Sequence, residues 1–93
     1  MDKMAAIQLM SALAQPTRME VFFALRDRAG GLSVGELANL VDTPPNTMSS
    51  HLSILARAGA VIAARSGRVV TYSAHPGAVS ELASFLSGGG QSG

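Results

Sequence analysis

The chain has 93 residues, of which 47% are apolar and 14% charged, with a formal net charge of +1 and no cysteine. This length predicts one small domain, and the apolar content excludes intrinsic disorder of the kind that low hydropathy and high charge produce. The absence of cysteine excludes disulfides, thiolate metal sites and thiol nucleophiles. Gly, Pro or charged residues interrupt every apolar stretch before the roughly 18 residues that a membrane span needs, so we expect a cytoplasmic protein.

The acidic residues are unevenly distributed along the chain. Five of them precede residue 43, and the next one is Glu81. Between residues 43 and 80 the charged side chains, apart from two histidines, are Arg57, Arg65 and Arg68. This segment is therefore cationic, as a phosphate-binding surface must be, although chance is the alternative with so few charges.

The first half of the chain predicts three helices. Residues 4–15 carry apolar side chains at helical spacing. Pro16 is suited to the first position of a second helix, which we expect to reach Arg28 before Gly30 and Gly31 end it. Ser33 followed by Glu36 forms the pattern of a capping box and predicts a short third helix.

The second half predicts a fourth helix, a β-hairpin and a fifth helix. Asp42 and Thr43 offer side-chain oxygens to cap a helix from about Pro45 to Ala58, which Gly59 ends. Two β-branched or apolar runs, 61–65 and 69–73, flank a turn that contains glycine and predict a hairpin. Residues 79–86 repeat apolar side chains at helical spacing, and 88–93 predict a flexible Gly-rich tail. We therefore expect one domain over residues 1–87.

Two short helices joined by a tight turn and followed by a hairpin are typical of a winged helix-turn-helix. The predicted fold class is mainly α with a small β-hairpin: five helices plus a two-stranded wing. On the fourth helix, Met48, Leu52, Leu55 and Ala56 form the buried side, and the opposite side is polar.

Short hydroxyl and amide side chains can approach base edges, and arginines at a wing tip can bind the DNA backbone or enter a minor groove. The alternative is a serine-rich surface helix beside solvated turn arginines. We predict that the DNA-binding residues are Asn46, Thr47, Ser49, Ser50, Ser53, Arg57, Arg65 and Arg68.

Other polar residues are expected to be structural. His51 falls toward the apolar side of the fourth helix, which favours a hydrogen-bonded structural residue over a metal ligand or a pH sensor. Acidic neighbours predict local ion pairs for Arg18, Arg26 and Arg28. The chain offers no carboxylate pair and no phosphate-binding glycine motif before a helix, which argues against an enzyme.

Three segments resemble the ArsR family of bacterial metalloregulatory repressors: ALAQPTR at 12–18, SSHLSILARAGAV at 49–61 and RSGRVVTYS at 65–73. The resemblance covers about residues 4–87. It implies a homodimer paired through the first and last helices, with the fourth helices in successive major grooves of an inverted repeat. It also implies transcriptional repression that a chemical signal relieves.

The chain departs from this family in its sensing residues. The resemblance implies cysteine-based sensors of arsenite, soft metals or persulfide, for which no residue is present here. The zinc-sensing branch uses Asp, His and Glu ligands on the last helix, and this chain offers only His75 and Glu81 as weak candidates, without the family's spacing. We therefore expect no metal and no other cofactor.

The predicted partners are a double-stranded DNA operator, a second copy of the chain and, if there is one, a small-molecule inducer that is not read through thiols. No membrane partner is expected. The alternative function is a winged-helix module for protein–protein contacts or for architectural DNA binding without an effector switch.

Overall fold

A computed structural model describes residues 1–88, so the predicted tail lies outside the described residues except for Gly88. Over this range the chain forms the five helices expected from the sequence and three strands. In order these are α1 (Lys3–Leu13), α2 (Pro16–Arg26), β1 (Leu32–Ser33), α3 (Val34–Leu40), α4 (Pro45–Arg57), β2 (Val61–Ser66), β3 (Val69–Ala74) and α5 (Pro76–Leu86). The winged helix-turn-helix is confirmed.

The first two helices are shorter than predicted. α1 ends at Leu13 because Gln15 has an extended backbone and caps α2, its Oε1 accepting from Arg18 N at 2.9 Å. α2 ends at Arg26 rather than at Arg28, with Asp27 as its C-cap. Both helices were predicted to extend past their observed C-terminal ends, into the residues that form the caps.

The predicted cap of α4 is wrong. Pro44 occupies the N-cap position without a side-chain hydrogen bond, and Thr43 Oγ1 donates instead to Val41 O at 3.2 Å. Asp42 adopts a left-handed conformation with φ 51° in the turn between α3 and α4. Because prolines have no amide hydrogen, the first turn of α4 has fewer donors that need a cap.

The hairpin belongs to a three-stranded antiparallel sheet in which β3 lies between β1 and β2. The pairing of Ser66 with Val69 leaves a two-residue turn, whose first residue, Gly67, has the positive φ of 63° that such turns favour. β1 was not predicted from the sequence because two residues carry no periodicity. Its second residue, Ser33, also caps α3 through the predicted capping box, with both hydrogen bonds to Glu36 present.

One hydrophobic core joins all five helices to the wing. α4 packs against α1, α2, α3 and β2, and its Met48, Leu52 and Leu55 have no exposed surface. No polar side chain is buried within residues 1–88. None of the helices in this range has the length and apolar character that a membrane span requires. The core consists of Ala6, Leu9, Ala12, Val21, Phe22, Leu25, Leu37, Ala38, Met48, Leu52, Leu55, Ala60, Val61, Ala78 and Leu82.

Arg18 connects three helices instead of forming the local ion pair predicted for it. Its Nε donates to Ala12 O, in the last turn of α1, at 2.6 Å. Its Nη1 lies 3.5 Å from His51 Nδ1 on α4. The last carbonyls of a helix lack partners within the helix, so the end of α1 offers the guanidinium a strong acceptor. Within the described residues, Arg28 also makes no ion pair, whereas Arg26 pairs with Asp27 at 2.9 Å as predicted.

His51 is half-buried, as expected for a structural histidine. Burial lowers the pKa of its imidazole, and the positive charge of Arg18 lowers that pKa further. Since a guanidinium only donates hydrogen bonds, Nδ1 of the neutral ring is the acceptor in this contact. Protonation of His51 would therefore remove the acceptor and place two cations side by side.

Acidification is expected to destabilise the fold through His51. The unfolded chain binds more protons than the folded one between the lowered pKa and the ordinary value of about 6.5. The contribution of His51 to stability is therefore complete above the ordinary value and is lost as the pH falls to the lowered one. Urea unfolding between about pH 8 and about pH 5 should show a weaker pH dependence for His51→Gln than for the parent. Equal slopes for His51→Gln and the parent would contradict this account.

Gly31 is required by a close approach of two backbone segments. Its φ is +77°, and a Cβ there would lie 2.5 Å from Tyr72 O and 2.6 Å from Thr71 Cγ2. Gly30 has a similar φ of +91°, but a Cβ there would meet no atom within 4 Å. The two glycines therefore share a backbone conformation and differ in the space around them.

Alanine substitution at these two positions separates backbone strain from steric overlap. We expect Gly30→Ala to lower the free energy of unfolding by about 1–2 kcal/mol through left-handed strain. Gly31→Ala should lower it by about 1–3 kcal/mol more, because β1 and β3 must move apart to admit the methyl group. Urea unfolding of both variants measures the difference, and equal losses would show that the sheet accommodates the methyl group without cost.

Candidate nucleic-acid interface

The outward side of α4 is a row of exposed polar side chains. Asn46, Ser50, Ser53 and Arg57 follow at helical spacing, opposite the buried Met48. Ser50 Oγ donates to Asn46 O at 3.3 Å, and Arg57 Nη2 donates to Ser53 Oγ at 3.1 Å. These contacts align the row along the helix surface, where hydroxyl, amide and guanidinium groups face outward.

Two further predicted residues flank this row. Ser49 and Thr47 are exposed, and helical geometry places them on opposite flanks, with Thr47 on the same flank as Ile54. Thr47 N donates to Asn46 Oδ1 at 3.0 Å, so the Asn46 side chain bends back over the first turn of the helix. The Nδ2 group of Asn46 is then the part of that amide that points away from the backbone.

The wing carries the other two predicted cations. Arg65 lies near the end of β2, and Arg68 is the second residue of the turn that Gly67 begins. Both are exposed. A two-residue turn limits how far the tip can spread, so it presents the two guanidinium groups together at one end of the sheet.

The acidic residue nearest in sequence to α4 is Asp42, exposed in the turn before Pro45. No acidic side chain follows it until Glu81, on α5. The polar row and the wing tip therefore contain cationic and neutral groups alone, an arrangement that attracts polyanions.

The arginines of α2 are engaged elsewhere. The Arg26 guanidinium hydrogen-bonds Asp27 and lies 4.5 Å from the centroid of the Phe23 ring. The hydrogen bond from Arg26 lowers the pKa of the Asp27 carboxyl. The positive charge of Arg26 is therefore balanced locally, at the end of α2.

The two weak metal-ligand candidates lie at α5. His75 precedes Pro76, and its Nδ1 is 3.2 Å from Gly59 O. Glu81 is exposed on the helix. Within residues 1–88 no three His, Asp or Glu side chains come close enough to bind a metal ion together. The structure therefore adds no third ligand to this pair within one chain.

Sequence reasoning missed the link between Arg18 and His51, because the two residues are 33 positions apart and neither helical spacing nor charge connects them. The ring of Tyr72, on β3, is half-buried against the core. The exposed polar side of α4 could be predicted from the helical period alone.

Similar proteins share this architecture. Residues 13–62 match the family model of a helix-turn-helix domain. The HTH-type transcriptional regulator NmtR of Mycobacterium tuberculosis is 34% identical over 85 residues, which cover 88% of this chain and 69% of NmtR. The HTH-type transcriptional repressor SmtB of the same organism is 41% identical over 68 residues, which cover 73% of this chain and 49% of SmtB. The chain thus spans about half the length of the SmtB relative.

Solved structures agree with the sequence relatives. The crystal structure of an ArsR family transcriptional regulator superposes with a TM-score of 0.79 at 25% identity, covering 94% of this chain and 88% of that one. The agreement extends over the helix-turn-helix, the wing and the terminal helices. This chain belongs to the ArsR family of helix-turn-helix transcriptional regulators.

Proposed function

We propose that this chain is a homodimeric repressor that binds an inverted-repeat operator and is released by a signal not read through thiols. The observation that carries the proposal is the exposed surface formed by the polar row of α4 and the wing tip, which includes no acidic side chain. A surface of this composition suits the major groove and the flanking phosphates.

The two parts of this surface have different roles in the proposal. Asn46 and Ser49, near the N-terminus of α4, are short enough to read base edges when the helix enters the major groove. Arg65 and Arg68 on the wing bind phosphate oxygens, which adds affinity on any sequence and makes binding depend on salt. Arg57, at the end of the polar row, contacts the backbone as well.

Dimerisation is proposed to occur through α1 and α5. Each helix turns some apolar side chains into the core and leaves others in solvent: Met4 on α1 is 64% exposed and Leu86 on α5 is 59% exposed. Exposed apolar faces on the two terminal helices are typical of an interface between subunits. A two-fold dimer would present its α4 helices to half-sites about one turn of DNA apart.

The proposed signal is not a thiol-binding one. Arsenite and mercuric ion bind tightly to thiolates, and the chain has no cysteine to supply them. The inducer is therefore expected to be a molecule that hydroxyl, amide, guanidinium or apolar side chains can recognise.

The dimer interface can be tested by introducing charge. We expect the parent to be a dimer at micromolar concentration and the double variant Met4→Asp, Leu86→Asp to be monomeric, because a dimer would bury four carboxylates in an apolar contact. Ile62→Asp is the matched control, since Ile62 is apolar and 51% exposed but lies on β2. Size-exclusion chromatography with light scattering measures the mass. A monomeric parent, or a double variant that remains dimeric, would contradict the assignment.

Substitutions on the wing and on α4 should weaken DNA binding in different ways. Arg65→Ala and Arg68→Ala are each expected to weaken binding on every sequence and to lower the salt slope by about one. Asn46→Ala and Ser49→Ala should cost about 1–3 kcal/mol on the operator and relax the preference at particular base pairs. Fluorescence anisotropy with an inverted-repeat duplex from the protein's own promoter region and with a scrambled duplex, over a range of salt, measures both effects.

Arg26→Ala is the control for the removal of charge, because Arg26 pairs with Asp27 away from this surface. It should leave the operator affinity and the salt slope near those of the parent. If the wing and helix variants also behave like the parent, the surface does not read DNA, and a module for protein–protein contacts becomes the better interpretation.

A further inference from the structure

A groove of about 290 Å³ lies where α1 meets the C-terminal end of α4. Its apolar lining consists of Ile7 and Ala12 from α1 and Ile54 and Ala58 from the α4 end. Its polar lining residues are Gln8, Ser11 and Arg57, and Arg57 is also the cation of the polar row.

Part of the lining is apolar surface left in solvent. Ala12 is buried, whereas Ile7 is 47% exposed and Ile54 is 39% exposed. Small-molecule sites commonly combine apolar walls with a few polar groups and have volumes from about 300 Å³ upward. At about 290 Å³ the groove is at the lower limit of this range, which restricts it to a small organic molecule.

The groove carries a positive charge without a negative one. Arg57 is the charged residue of its lining, and no carboxylate lines it. Ser53 accepts one of the five N–H donors of the guanidinium, and within residues 1–88 the Arg57 side chain makes no other hydrogen bond. This bond turns the guanidinium back toward Ser53, about one turn from the last carbonyls of α4. An anion bound to the guanidinium is therefore kept away from the partial negative charge of those carbonyls, which would repel it.

We infer that this groove binds a small organic monocarboxylate, with its apolar body between Ile7 and Ile54 and its carboxylate paired with Arg57. A guanidinium can hold a carboxylate through two parallel hydrogen bonds. The inference rests on the proposed function in one respect: Arg57 also belongs to the DNA-facing row. A carboxylate on Arg57 competes with DNA phosphate for the same donors, so the ligand acts as an inducer.

The groove lies beside the proposed dimer interface. Its lining does not include Met4 or Met10, but Ile7 and Ser11 of the lining share the exposed face of α1 with these methionines. A partner subunit that packs on those methionines would border the groove. Occupation of the groove by the partner itself is the competing possibility that the experiment must separate.

Benzoate and its neutral isostere benzamide are suitable probes, since they match in size and differ in charge. The experiment titrates each into the ¹⁵N-labelled full-length protein, in its native oligomeric state, and follows amide chemical shifts. We expect benzoate to perturb residues 7, 54, 57 and 58 and to bind at least about tenfold more tightly than benzamide. Perturbations elsewhere, equal binding of the two probes, or no perturbation because the partner covers the groove would each overturn the inference.

Ile54→Glu tests the site without removing Arg57. It places a carboxylate within the lining, so benzoate affinity should fall at least about tenfold through repulsion and competition for the guanidinium. Ile62→Glu is the matched control on β2 and should bind benzoate like the parent. Benzoate binding that Ile54→Glu leaves unchanged would place the probe outside the groove, provided that circular dichroism shows the variant to be folded.

The effect on DNA is measured separately. With the groove saturated by benzoate, operator affinity should fall and the salt slope should decrease by about one for each subunit, as the loss of one phosphate contact predicts. Sodium chloride at the same concentration provides the control for ionic strength. Unchanged affinity and slope in a protein with benzoate bound in the groove would overturn the competition. A protein that retains no DNA even without benzoate would overturn the proposed function instead, and the amide shifts alone would then decide whether the groove is a site.

Discussion

The buried side of α4 is the constraint on which the rest of the structure depends. Met48, Leu52 and Leu55 have no exposed surface and contact helices on several sides. Truncating a buried side chain of this size to alanine typically costs about 2–5 kcal/mol, so together they fix the rotation of the helix about its axis. Fixing that rotation also decides which side chains face outward. The polar row from Asn46 to Arg57 is the consequence of burying the opposite side.

Arg18 adds a second constraint, on the position of α4 relative to α1. Its hydrogen bond to Ala12 O ties it to the end of α1, and its contact with His51 reaches the middle of α4. Ala12 also lines the groove beside Arg57. The same corner of the molecule thus joins the helix proposed for dimerisation, the helix proposed for DNA recognition and the proposed ligand site. A displacement of any one of these elements would displace the others, because their side chains pack against one another.

The distribution of apolar residues explains why the surface is not uniformly polar. A domain of this size buries a limited fraction of its surface, and 47% of its residues are apolar. The core takes one side of each terminal helix, which leaves Met4, Ile7 and Leu86 in solvent. Ile54 is exposed for a related reason, because it lies on the flank of α4 between the buried side and the polar row. Such residues cost little in the folded monomer and are available for a subunit or a ligand to cover.

The sequence by itself determined the features that depend on neighbours within about four positions. The helical period separated Met48 from Asn46, the capping box of Ser33 placed the start of α3, and the glycine of the turn predicted the hairpin. Only the tertiary structure decided that β3 also pairs with β1, that Arg18 reaches His51, and that Ile7 and Ile54 line one groove. Each of these contacts joins residues that are far apart in the chain. It depends on how whole helices and strands pack, so a local sequence pattern cannot predict it.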